Sequence, residues 1–328
     1  MRISNKYLCF LLLSILPVRS GDGQQLPLLS QYTLDFYQIN PAFAGYDGYT
    51  SISLTAHEQW IGFTRSPKTH TVSVHTRLYE QSYIRKENPV KKKWRRPFKG
   101  GRIGVGGLIY DDRSGLISRT GFQLTYAYHV PLQMSQLSFG LSAKAFQYKL
   151  DIEEISLYDE EDPYFADYDG ALFIPDANFG VNYSTGDYNI GLSIDHLFQS
   201  SLKLGKNGES NYKILRHYFL MGNYTFQVNN DLNIQPNLLL KSSNNFRSIQ
   251  ADINVTFLYK QDYWAGISYR TTNAMILMGG LYYNQFYFGY AFDYSMNKIR
   301  RYNFGSHEII AGIKLGGNPR RYRWLNDI

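Results

Sequence analysis

The stretch Gln285–Ser295, QFYFGYAFDYS, limits what this chain can fold into more than any other. Its even positions are Phe286, Phe288, Tyr290, Phe292 and Tyr294; its odd positions are Tyr287, Gly289, Ala291, Asp293 and Ser295. Successive side chains of a strand point to opposite faces, so one face is wholly aromatic and the other mostly small or polar. A strand of a soluble sandwich alternates too, but its aromatic face meets a second sheet and it runs to about five or six residues. A longer strand with a lipid-compatible face and a polar face is what an outer-membrane barrel needs. One such segment is a weak signal, and what matters is whether the chain repeats it.

It does. Fourteen alternating runs can be read, beginning at Thr50–His57 and ending at Ser306–Gly316, and including Asp176–Thr185, Ile214–Val228, Asp231–Lys241 and Ser248–Lys260. Outside the first twenty residues no 3.6-residue period is sustained. If the first strand starts in the periplasm, the turns at Pro131–Ser135, Thr185–Asp187, Val228–Asp231, Lys260–Asp262 and Asn284 fall on the periplasmic side, and all are short. The connections His57–Lys68, Asp151–Pro175, Phe198–Lys213 and Met296–Gly305 fall outside and are longer, as in bacterial barrels. Glu80–Gly100 is the exception, a long connection on the periplasmic side. Pro236, inside the ninth run, breaks a ladder bond and predicts a bulge or a shifted boundary. No linker divides the runs, and closing the sheet removes edges that so many strands would otherwise expose. The expected fold is all-β: a transmembrane antiparallel barrel of about fourteen strands over 50–316, after an irregular segment 21–49 and before a short basic tail, 317–328, in the periplasm.

Composition fits this reading. Tyrosine and phenylalanine number 29 and 20, yet mean hydropathy is only −0.35, because the inward half of each strand is polar. Arg2 and Lys6 precede an apolar run, Tyr7–Val18, with Ser20 and Gly21 after it, the pattern of a signal peptide over 1–20. That run is shorter than the roughly 20 residues of a membrane span. The single cysteine, Cys9, lies inside it, so the exported chain carries no disulfide and no thiolate chemistry. Eight basic residues and one acid between Arg85 and Lys99 account for the net charge of +7. The basic balance thus describes one loop and not a nucleic-acid-binding surface.

No motif points to catalysis. The seven histidines (His57, His70, His75, His129, His196, His217, His307) show no metal-ligand spacing, and no cofactor is implied. Ser210–Lys213 matches SxxK, a common chance pattern, and Gly101–Gly107 opens a strand and no helix, unlike a phosphate loop. Asp151–Gly170 carries nine acids and no base; calcium binding and a solvated loop are both open, and the EF-hand spacing is missing. Lys91, Lys92, Lys93, Arg95 and Arg96 form a basic cluster suited either to a periplasmic partner or lipid head groups, or to a flexible charged connection.

Several short motifs follow one another along the chain: Gln31-Tyr32, Asn40-Pro41-Ala42-Phe43-Ala44-Gly45, and Gln59-Trp60 with Pro67 beyond. Gly104–Asp111, Tyr126–Tyr128, Tyr269-Arg270, Gly289–Asp293 and Gly305–Glu308 continue the series. In this order and spacing the chain resembles the PorP/SprF family of Bacteroidetes outer-membrane proteins. The resemblance implies a non-enzymatic barrel of the type IX secretion and gliding machinery. Such a barrel supports secretion or surface attachment of a large adhesin-like substrate and associates with periplasmic components of the apparatus. The basic insertion and the tail after Gly317 have no counterpart in it. Pro41 and Gly45 fix an irregular path for the N-terminal segment, folded against the lumen or the periplasmic mouth; Asn40–Gly45 is either a turn that delivers the chain to the first strand or a partner contact, and Gln59 is a further candidate contact. Trp60 suits the interfacial aromatic belt. A passive porin or hydrophobic-solute transporter is the alternative function, and a barrel hydrolase with His57 at the outer rim is a third.

Overall fold

The computed structural model describes residues 29–78, 102–132, 134–151, 171–204, 210–243 and 248–316. Seven antiparallel strands follow one another round the wall: β1 (Thr50–Glu58), β2 (Lys68–Leu78), β3 (Ile103–Ser114), β4 (Ile117–Pro131), β5 (Gln136–Leu150), β6 (Leu172–Ser184) and β7 (Tyr188–Asp195). β8 (Ser201–Leu204) and β9 (Ser210–Lys213) pair with each other as a hairpin within the next connection. β10 (His217–Tyr224) continues as β11 (Phe226–Gln227). The circuit is completed by β12 (Leu232–Ser243), β13 (Ser248–Tyr259), β14 (Tyr263–Arg270), β15 (Ala274–Tyr283), β16 (Phe286–Ser295) and β17 (Ser306–Leu315). Pairing of β10 with β12 and of β17 with β1 closes a barrel of fourteen strands. Closure leaves no row of backbone N–H and C=O groups facing lipid.

Burial separates a barrel from a sandwich. In β16, Phe286, Phe288, Tyr290 and Tyr294 are exposed on the outside, while Tyr287, Gly289, Ala291, Asp293 and Ser295 are buried inside. In β1 and β2, Ser51, Ser53, Thr55, His57, Thr69, Thr71, Ser73, His75 and Arg77 are buried, whereas Leu54, Val72 and Val74 are exposed. A water-soluble protein hides its apolar residues. Here the order is inverted, as a lipid-facing surface demands. Exposed aromatics flank the turns at both ends: Tyr224, Phe226, Tyr259, Tyr263, Tyr283 and Phe286 at one, Tyr269 and Tyr294 at the other. They mark the two interfaces of the membrane.

Apart from the connection 79–102, the turns on the end where β1 starts and β17 stops are short, and the other longer connections lie opposite, so the alternation expected of the loops holds together with its one expected exception. Three local readings need correction. β6 starts at Leu172, not Asp176; Pro175 is accommodated because β7 pairs only from Phe179 onward, leaving that side of the strand without a ladder to break. Pro236 makes no bulge: Asn223 faces Asn237 and Phe226 faces Ile234 in one unbroken register, and the ladder merely lapses at Thr225. The connection Phe198–Lys213, read as loop, contains the β8–β9 hairpin. The signal peptide, the basic cluster Lys91–Arg96, residues 152–170 of the acidic loop and the tail 317–328 lie outside the described residues.

Candidate functional site: a lumen plugged from within

Residues 29–49 carry no strand or long helix. They hold two 3-10 turns, Phe36–Gln38 and Pro41–Phe43, and they sit inside the barrel. Each turn is capped by the residue before it. Asp35 accepts from the Tyr37 backbone N–H at 3.2 Å, and Asn40 accepts from Ala42 N–H at 2.9 Å, with Pro41 at the first position, where no N–H is needed. The barrel's inward polarity is therefore matched by a segment of its own chain, which fills the half of the lumen nearer the short turns.

Three sets of contacts fix this plug. At its lower end, Asn40 is fully buried and donates to the carbonyls of Val181 and Leu192 at 3.2 and 3.3 Å. Ser193 Oγ donates to the Ile39 carbonyl at 2.9 Å, His129 Nε2 lies 2.9 Å from the Ala44 carbonyl, and the Gly45 N–H donates to His75 Nδ1 at 3.1 Å. The wall is cut back to receive it. A Cβ at Gly104 or Gly140 would collide with the backbone of Ala44 or of Pro41 and Ala42, and one at Gly180 with the Asn40 side chain, so glycine there makes room for the plug. In the middle, Ser53 Oγ and Ser73 Oγ both donate to Asp35 Oδ2 at 2.6 Å, and Tyr37 OH lies 2.8 Å from Thr125 Oγ1. Tyr32, Tyr37, Phe43 and Ala44 pack with Leu108, Ala127, Phe219, Met221 and Leu239 of the wall. Burying one such aromatic side chain is worth roughly 1.5–3 kcal/mol, so the plug is held by packing as well as by polar contacts.

The upper contact is charged. Glu308 accepts from the backbone N–H groups of Ser30 and Gln31 at 2.6 and 2.8 Å. Ser30 Oγ donates to Asp293 at 2.7 Å, and Arg270 bridges Asp252 at 2.9 Å and Asp293 at 3.3 Å. The chain therefore crosses the lumen from this cluster, at the end of the longer connections, down to Tyr49 at the start of β1. At that foot Asp47 meets Lys314 Nζ at 3.2 Å. Burial alone would push the Asp47 carboxyl up, but the Lys314 ammonium, with His75 nearby, holds it below the usual carboxylate range.

Above the plug an open cavity of about 1080 Å³, mouth included, occupies the outer half of the lumen. Its wall carries Arg119, Lys144 and Lys241 and also Asp112, Asp195 and Asp252, with Lys144 Nζ 2.6 Å from Asp195. Such a balanced lining has no field of one sign to draw in one class of ion. Among the described residues no group of three or more His, Cys, Asp or Glu side chains could hold a metal ion. Ser53, Ser73, Asp35 and His75 have the composition of a hydrolytic site. Both hydroxyls, however, donate to the carboxylate, and His75 Nδ1 is taken by Gly45, so no base faces a nucleophile. His57 lies at the outer end of β1, the side the hydrolase reading gives it, with its side chain buried on the lumenal face.

The candidate residues do not form one site. Asn40, Pro41 and Gly45 touch the barrel's own wall at the bottom of the lumen. Gln59 and Trp60 lie at the far end, where the Gln59 N–H donates to the Pro67 carbonyl at 2.8 Å. Trp60 is not in the lipid-facing belt: it is half-buried and its indole N–H donates to Ser295 Oγ, on the lumenal face, at 3.3 Å. Arg270, Asp293 and Glu308 were legible only as members of scattered short motifs. A second signal was their parity, since each charge falls on the inward face of its strand.

That convergence of Gln31, Arg270, Asp293 and Glu308 brings the scattered motifs to one place in the lumen. The family model described as type IX secretion system membrane protein PorP/SprF matches residues 22–313. The chain belongs to the PorP/SprF family. As a PorP/SprF protein with a closed transmembrane barrel, it resides in the outer membrane. No curated protein matches it. Among solved structures it is similar to the NanC porin at 10% identity (81% of this chain, 99% of that one, TM-score 0.37). A deltaS2S3 mutant of TodX, a monoaromatic hydrocarbon channel, is similar at 10% identity (84% and 92%, TM-score 0.42), and the KdgM porin at 12% (82% and 99%, TM-score 0.35). Likeness at this level decides nothing about the PorP/SprF lumen.

Proposed function

We propose that this PorP/SprF protein is exported by its N-terminal signal peptide and acts without enzymatic chemistry of its own. In this reading it supports secretion or cell-surface attachment of a large adhesin-like client by the type IX apparatus. The family match over residues 22–313 carries the proposal. The plug supports it against free solute passage: Asn40, Ala42 and Ala44 are 0% exposed within the lumen, so half of the bore is filled with packed protein. A barrel closed in this way serves through its two ends and its outer wall. The connection 79–101, with its basic cluster, joins β2 to β3 on the periplasmic end, where contact with other parts of the apparatus would fall.

The test is deletion of the gene with quantitative proteomics of the cell surface. Loss of one or a few large repeat-rich surface proteins, restored by the wild-type gene, is the expected result. An unchanged surface proteome with reduced uptake of a small solute would overturn the reading in favour of a porin.

A further inference from the structure

The connection between β16 and β17 is built more firmly than a surface loop needs to be. Asn297 caps a 3-10 turn, Lys298–Arg301, by accepting from the Ile299 N–H at 3.3 Å, and Asn303 donates back to the Ile299 carbonyl at 2.6 Å. The loop is then laced to the β1–β2 connection. Ile61 N–H donates to the Gly305 carbonyl at 2.9 Å, Phe304 N–H to the Ile61 carbonyl at 2.7 Å, and Trp60 N–H to Ser306 Oγ at 3.1 Å. What this frame presents is unusual for a rim. Lys298, Arg300 and Arg301 are exposed, and none has an ion-pair partner among the described residues. Beside them Tyr302 and Phe304 are 71% and 78% exposed, and Met296 51%.

The height of the loop follows from the strands beneath it. On the lipid face of β16 the aromatic ladder rises through Phe288 and Tyr290 to Tyr294, directly under Met296. At that level the outer face turns polar. His307 receives or donates a 2.7 Å bond with Tyr290 OH, and it faces Glu58 across the β1–β17 ladder, with Lys68 3.3 Å from that carboxylate. Imidazole and carboxylate on a lipid-facing surface belong where hydrocarbon gives way to head groups. The loop that carries the three cations and the exposed rings therefore leaves the wall at head-group height. Among the described residues Glu58 stands beside this loop, and Lys68 already pairs with it.

The geometry points to a lipid contact: Lys298, Arg300 and Arg301 bind the phosphates of an outer-leaflet glycolipid, with Tyr302 and Phe304 seated among its sugars and upper acyl chains. Paired cations and interfacial aromatics are the two elements that such a head group requires. An acidic protein segment would use the cations but has no need of the exposed Tyr302 and Phe304 rings beside them. The inference depends on barrel orientation and not on which client is handled, so a failed deletion phenotype leaves it standing.

Native mass spectrometry of the full-length exported protein, released from nanodiscs of phosphatidylcholine doped with bis-phosphorylated or dephosphorylated lipid A, tests it. Wild type is expected to retain the phosphorylated lipid selectively. Each of Lys298→Gln, Arg300→Gln and Arg301→Gln should weaken retention about fivefold, and Tyr302→Ser with Phe304→Ser should weaken retention of both lipids. All five side chains are exposed, and barrel folding of each variant is verified by its heat-dependent gel shift. Equal retention by wild type and the triple Gln variant would overturn the proposal. So would displacement of the lipid by inorganic phosphate or by a poly-glutamate peptide at matched charge, since the surface would then recognise anions and not a lipid.

Discussion

At the scale of single residues, the tightest constraint is where plug backbone meets wall backbone. At Gly140 an added methyl group would run into the Pro41–Ala42 peptide, and neither side can yield by rotating a side chain. Gly140→Ala is therefore expected to cost about 1–3 kcal/mol, the usual price of overpacking, and to lower the thermal midpoint of the detergent-solubilised barrel. Gly107→Ala supplies the control, because its Cβ would meet only the Gln123 carbonyl, at 3.9 Å. Equal midpoints for the two variants would show that the lower plug contact is looser than its packing indicates. The foot of the plug adds a pH dependence. Asp47 has its folded pKa depressed below the unfolded value, so its stabilisation is fully present above the ordinary carboxylate range and fades as pH falls through and below that range. Unfolding midpoints measured from pH 7 down to pH 3 should fall more steeply for wild type than for Asp47→Asn. Parallel curves would remove Asp47 from the account.

At the scale of elements, the plug is one segment with two differently built ends, and they should separate experimentally. The upper end depends on Glu308, which accepts two backbone N–H groups in a charge-assisted arrangement. The lower end depends on Asn40 and on glycines of the wall. Glu308→Ala should release the upper end alone, costing roughly 1.5–3 kcal/mol per bond lost, or about tenfold to hundredfold faster amide exchange at Ser30 and Gln31. Exchange at Ala42 and Ala44 should stay slow. Uniform acceleration across 30–45 would mean that the plug is a single cooperative unit. The same division explains what could be read in advance. Strands such as Gln285–Ser295 were legible because period two survives in sequence whenever one face meets lipid. The plug was legible only as an irregular segment against the lumen or its mouth, since 29–49 buries itself through caps, one proline and aromatic contacts that leave no period. Its location was hidden in parity: Glu308, inward on β17, takes its two hydrogen bonds from the backbone of Ser30 and Gln31. Trp60 misled because an aromatic just past a strand reads as belt, while the rim offered Ser295 as an inward hydrogen-bond acceptor.

For the molecule as a whole, the closed wall and the filled bore make opposite demands, and conductance distinguishes which one governs behaviour. A bare fourteen-stranded barrel is wide enough to hold a lumen. If residues 29–49 stay in place, purified protein in planar bilayers should show no steady current, because Asn40, Ala42, Phe43 and Ala44 are packed, buried, within the lower half of the bore. Replacing 30–45 by a flexible glycine–serine linker of equal length removes the packing yet retains the connection to β1. The wall's pairing does not involve that segment, so the barrel should still close. Its lumen would then be lined by Ser51, Ser53, Thr71, Ser73, Arg77 and their neighbours, a polar surface that water wets readily. Steady single-channel currents from the linker variant, with silence from wild type, are the expected pair of results. Steady currents from wild type would mean that the plug leaves spontaneously, and the protein would have to be regarded as a pore before it is regarded as a scaffold.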